Sequence, residues 1–271
     1  KWNFLNSIPR QTYAIKNGLW SDSATWSVSA EPSPWNFPSS ADNAYTNTFT
    51  VTADSSTKVD TIRNSTLAPN ILSGGSFVLA NGVSLSANVA GGVAPYTLTL
   101  APAANSTLVG NISGGTVAAS HGLGFLANST ISVLGNVIGG TTTSVFGVNL
   151  SSTNTVTVNL IGDSRGSTGT SSHGINALSG TLNVNLTGNV LAGTGTTAYG
   201  INNASTGTIN INGINSSIVS NTSNPSINNA STGTINLTAA SIIANNLQHV
   251  YIAPNTSGVN TIVGSVINAP N

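Results

Sequence analysis

Charge is almost missing from this sequence. Only 4% of the 271 residues are Asp, Glu, Lys or Arg, six acidic against six basic, so the formal net charge is zero. That balance leaves no electrostatic footprint for nucleic acid or for an anionic membrane, and neither is expected as a partner. Cysteine and methionine do not occur, which removes disulfides and thiol chemistry and leaves the redox compartment open. No apolar run approaches the 18 residues of a spanning helix, so no membrane insertion is expected. Lys1 is followed by no signal-peptide h-region, and the lack of an initiating Met fits a processed product or a fragment.

What is present is Gly, Ser, Thr and Asn, with β-branched residues supplying most of the hydrophobicity. An apolar fraction of 39% without net charge argues against disorder. Small turn-formers alternating with Val, Ile and Thr predict an all-β chain. A neutral surface of amides and hydroxyls does little to keep molecules apart, which fits a permanent assembly and a homo-oligomer, a trimer among the options.

The strongest signal is repetition. Ile201-Asn202-Asn203-Ala204-Ser205-Thr206-Gly207-Thr208-Ile209-Asn210 returns unchanged at 227–236. Weaker forms place an apolar residue at Leu98, Leu123, Val148, Ile175, Ile201, Ile227 and Ile252, in steps of about 25 to 27 residues, the span of a solenoid coil. A second ladder reads Ile131, Val156, Leu182, Ile209 and Ile235, each with an apolar partner two positions on: Val133, Val158, Val184, Ile211 and Leu237. Period two puts both on one face, the core face, because Ser132, Thr157, Asn183, Asn210 and Asn236 between them are polar. A third ladder is Ile112, Val137, Val190, Ile218, Ile242 and Val266. Three strands per coil follow, and the expected fold is a right-handed parallel β-helix with an N-terminal cap. About eight coils at ~4.8 Å would make a rod of roughly 35 to 40 Å. The chain divides into an N-terminal arm (1–15), a Trp-rich cap with the first strands (16–62) and the β-helix proper (63–271). In the cap, Trp20, Trp26 and Trp35 are expected to plug the end of the stack.

The cap also carries a motif. Gly18-Leu19-Trp20-Ser21-Asp22-Ser23-Ala24-Thr25-Trp26, then Pro38, Ala41-Asp42-Asn43-Ala44-Tyr45 and Thr50-Val51-Thr52-Ala53-Asp54, resembles a lead-in found in phage tail fibres and bacterial surface β-helix proteins. The pattern covers about 45 residues and departs at Ala44, where that group usually has Val. The resemblance implies a β-helix and a fibre or adhesin role, and it brings no catalytic residues.

Three sets of side chains could be taken for sites. Tyr96, His121, Phe146, His173 and Tyr199 precede the first ladder, one per coil with Pro225 after them, and are expected to form a ring column at a corner. This column is the candidate binding feature, as an aromatic ridge for sugars. A metal site at His121 and His173 is not expected, because Phe146 separates them and no carboxylate helps. Asn149, Asn176, Asn202 and Asn228 should form an amide ladder. Finally, Asp163 and Arg165 are the only formal charges from Asn64 to the C-terminus, and they read as a local ion pair on the outer face. Polysaccharide cleavage needs two carboxylates, or a base with cations for uronates, so no enzymatic activity, cofactor or metal is expected.

Taken with the absence of catalytic carboxylates, the resemblance implies a structural fibre or adhesin component of a phage virion (a tail or head fibre), extracellular and acting in host attachment. Its expected partners are other virion proteins, through the N-terminal arm and rod ends, and a host surface polysaccharide or protein. The alternatives are a bacterial cell-surface adhesin and a tailspike-type depolymerase with an inter-subunit site, for which Asp163 and Asp60 would be the carboxylates to test. A flat ice-binding face is disfavoured because Thr155-Val156-Thr157 gives way to Thr181-Leu182-Asn183 and Thr208-Ile209-Asn210.

Overall fold

The computed structural model describes residues 11–27, 38, 42–54, 70–73, 75–92, 94–220, 224–229, 232–244, 250–252 and 257–268. Among these, one 3-10 turn at Ser23–Thr25 interrupts an otherwise all-β chain. The strands stack in parallel as a β-solenoid whose coils have three runs each. The first wall is a 10-stranded sheet that includes Phe77–Leu79, Tyr96–Leu100, His121–Gly124, Phe146–Leu150, His173–Ala177, Ile201–Asn203 and Ile227–Asn229. The second wall contains Asn105–Val109, Ser129–Leu134, Thr155–Ile161 and Thr181–Thr187, and the third the short runs Ile112–Ser113, Val137–Ile138, Ser164–Arg165 and Val190–Leu191. The second and third walls merge where Thr208–Val219, Thr234–Ala244 and Val259–Asn268 run unbroken around the corner.

The core is the stack of ladder side chains. Phe77, Leu98, Leu123, Val148, Ile175, Ile201 and Ile227 sit directly above one another, all fully buried. Each large side chain hidden this way contributes roughly 1.5–3 kcal/mol before chain ordering is charged against it. No coil can bury its own face alone, so every coil depends on its neighbours.

Two details of register differ from the expectation. Ile131 pairs with Val158, and Val156 pairs with Ser129, so the second ladder shifts by two residues at that step before Val156, Leu182, Ile209 and Ile235 continue in line. Ile227 pairs with Val250, and Ile252 falls opposite Asn229, again a slip of two. A slip of two keeps every side chain on its face, so burial does not resist it. In the third ladder, Ser164 fills the rung between Val137 and Val190. Its hydroxyl is buried and donates to the Gly174 carbonyl at 2.8 Å.

Between the second and third walls the chain turns at Gly110, Gly135, Gly162 and Gly188, all with φ between +139° and +154°. A Cβ at any of the last three would run into the backbone carbonyl of the corner glycine in the preceding coil. At Gly213 that conformation is no longer used; the residue pairs with Ala239, and the bend is taken up by a register shift before Ser217.

At the N-terminal end, residues 1–10 of the expected arm and Trp35 lie outside the described residues, as do Asp60 and Asn64. Gln11–Ala14 forms a strand, antiparallel to Trp26–Ser27 and parallel to Asn43–Tyr45. The motif residues interlock there. Gly18 leaves room for the Thr25 side chain, Ser21 donates through both its amide and hydroxyl to Asp54, and Asp22 caps the turn by accepting from the Ala24 amide. Trp20 and Trp26 are fully buried, meeting edge-on at 5.0 Å between ring centroids, with Phe77 edge-on to Trp20 at 5.9 Å.

Candidate recognition surface

The ring column forms as its spacing implies. Tyr96, His121, Phe146, His173 and Tyr199 lie in successive coils with centroids 5.4, 4.7, 5.0 and 5.1 Å apart, the middle two contacts within 7° of parallel. Both imidazoles are buried. Each Nδ1 accepts a backbone N–H from the next coil, His121 from Phe146 at 3.2 Å and His173 from Tyr199 at 3.0 Å. Burial pushes the His121 pKa down to about 4 and that of His173 to about 3. Both are therefore neutral at physiological pH, with Nδ1 acting as acceptor. The faces of His121, Phe146 and His173 are covered by their ring neighbours, while Tyr96 and Tyr199 at the two ends each have one ring neighbour. The rings and the two Nδ1 contacts tie each coil to the next.

Amide ladders accompany it. Asn176 donates to Asn149 at 2.8 Å, Asn202 to Asn176 at 2.7 Å and Asn228 to Asn202 at 2.6 Å, all buried. A further ladder, missed in the sequence, follows the corner glycines. The Oδ1 of Asn88, Asn111, Asn136 and Asp163 each accepts the backbone N–H of the equivalent residue one coil later, at 2.8–3.0 Å. Asp163 is thus a rung where other coils use Asn, and it also receives the Asn189 amide side chain at 3.2 Å. The expected Asp163–Arg165 ion pair does not form. Among the described residues the ion pair within reach is Lys16–Asp22 at 3.5 Å, half-exposed on both sides. The corner turns the Asp163 carboxylate toward the next coil, while Arg165 stands exposed on the third wall.

A regular surface is formed by the outer face of the second wall and its continuation in Thr208–Val219 and Thr234–Ala244. Three rows of outward side chains run from coil to coil. One is threonine throughout, Thr155, Thr181, Thr208 and Thr234. The middle row passes from Thr130 and Thr157 to Asn183, Asn210 and Asn236, and the next from Ser132 to Asn159, Asn185 and Asn212. The asparagines are tied along their rows: Asn210 donates to Asn183, Asn236 to Asn210 and Asn185 to Asn159, each at 2.8 Å. A fourth row along one edge is apolar and exposed, Val109, Leu134 and Ile161, and Ile214 stands beyond it. Three shallow hollows lie along this one face, around Thr130 and Thr157, around Asn185 and Ile214, and around Asn210 and Asn236. Alternation made the polar character of the face readable in advance; each of its hollows is lined by residues of three or more successive coils, which no single coil shows.

Among the described residues no group of three or more His, Cys, Asp or Glu is placed to hold a metal ion. Comparisons with protein-family models, curated proteins and solved structures find no match to this chain.

Proposed function

We propose that this chain is a non-catalytic attachment module, a fibre or adhesin segment that holds a partner surface by broad, weak, repeated contact. The observation that carries this reading is the outer face of the second wall, where polar side chains stand in rows held in place by bonds from coil to coil. Such rows lose little side-chain entropy on binding and offer the same chemistry at each step of the stack. The carboxylate of Asp163 is engaged as an acceptor in the corner ladder, which is a structural use of the group a hydrolase would need.

The setting that agrees with the lead-in resemblance is a tailed-phage virion, as a tail or head fibre, with a bacterial cell surface as the alternative. The described structure contributes to this the rigid stacked frame, and the lead-in contributes the association with fibres. Incubating the purified chain with the surface polysaccharide of a candidate host should retain the polymer without increasing reducing ends. A rise in reducing ends that Asp163→Asn abolishes would replace this reading with a depolymerase.

A further inference from the structure

The same face has a direction and a chemistry narrow enough to specify a ligand class. We propose that the two adjoining hollows around Asn185, Asn210 and Asn212, with the rows that run through them, form a binding groove for a linear, uncharged polysaccharide lying along the coil axis. The inference rests on the attachment reading above and assigns its site and ligand class.

Direction comes from the rows. They run from coil to coil, at right angles to the strands; the hollow around Thr130 lies at the Thr155 edge of the wall, while those around Asn185 and Asn210 adjoin one another in the later coils. Asn212 joins two of them, since it borders the hollow around Asn210 and the one around Ile214. A polymer laid along the stack would meet an equivalent amide or hydroxyl about every 4.8 Å.

Ligand chemistry comes from hydrogen-bonding capacity. Asn210 spends one N–H on Asn183 and one lone pair on Asn236, which leaves a second N–H and a second lone pair. A row of groups that both donate and accept matches sugar hydroxyls, which do the same. The apolar edge supplies the other half of sugar recognition: Ile161 and Ile214 are 56% and 69% exposed beside the hollow around Asn185, where they can cover the C–H faces of a sugar ring. Charge then selects among polysaccharides. From Asn64 onward the formal charges are Asp163 and Arg165, and neither borders any of the three hollows. A uronate or sulfate group here would lose hydration without gaining a counter-charge.

The test is affinity chromatography of the full chain through columns carrying immobilised dextran, galactomannan, β-glucan or alginate. Retardation by at least one neutral polymer and none by alginate is the expected result. Asn212→Asp, and separately Ile214→Ser, should weaken that retardation at least tenfold with unchanged circular dichroism, while Ser113→Asp on the third wall leaves it intact. Three results would overturn the proposal: retardation by alginate alone, no retardation by any neutral polymer, or a face that instead joins two copies, seen as a dimer in light scattering that Ile214→Ser dissociates. The two readings can fail separately. Shortening of a bound neutral polymer would end the non-catalytic reading and keep the groove, whereas intact retention of alginate alone would do the reverse.

Discussion

Asp163 and the corner glycines make different demands on single side chains. Asp163 serves as an acceptor for the Asn189 backbone amide, and an asparagine Oδ1 can do the same, as it does one coil earlier at Asn136. Asp163→Asn should therefore change unfolding free energy by less than about 0.5 kcal/mol, while Asp163→Ala should cost about 1–2 kcal/mol by orphaning that amide. Paired urea melts check both. Gly135 is less forgiving, with φ of +154° and the Gly110 carbonyl in the place of any Cβ. Gly135→Ala should lower stability by roughly 2–4 kcal/mol, read as a drop in melting temperature. The corner glycines recur once per coil, but a glycine-rich composition hides them among the other turns. The role of Asp163 was not legible in the sequence, because its partner lies 26 positions away and the nearest opposite charge, Arg165, offered a false local answer.

At the scale of the element, the ring column sets the response to acid. The folded pKa values of about 4 for His121 and about 3 for His173 lie below the usual 6.5. The unfolded chain thus takes up protons first as pH falls. Stability from these residues is complete above pH 6.5 and falls as pH drops through 6.5 toward 4 and 3, by about 2 kcal/mol per histidine at pH 5. Melts of the wild type and of His121→Phe/His173→Phe between pH 7 and 4.5 should diverge, the wild type losing stability and the variant staying nearly flat. A parallel decline in both would refute the assignment. The column and the three walls could be read from spacing because a ring and three apolar ladders recur from coil to coil. The two slips, at Ile131–Val158 and Ile227–Val250, could not, since period-two patterning is blind to a shift of two.

The described residues are held mainly by burial and by hydrogen bonds between neutral groups, and ion pairs have little part in it. The melting temperature at pH 7 should accordingly move by less than about 2 °C between 20 mM and 500 mM NaCl, because screening acts on charges that are few. A large salt dependence would point to ionic contacts among residues outside the described set. The outer face was legible as polar from alternation alone. Its use as a groove depends on adjoining hollows that residues of successive coils line together, a property of the stacked walls that no single coil encodes.

The identical stretches at 201–210 and 227–236 pair in register in both of their strands, Ile201 through Asn203 on Ile227 through Asn229 and Thr208 through Asn210 on Thr234 through Asn236. A cut before Ile201 and another before Ile227 would therefore remove one complete turn and rejoin like to like, with Gly200 meeting the same sequence it met before. Deleting residues 201–226 should give a folded chain shorter by one rise, about 4.8 Å, whereas deleting half as many should leave strands facing corners and prevent folding. The length of this molecule is thus quantised: recombination between its own repeats can lengthen or shorten its reach in whole steps without redesigning either end.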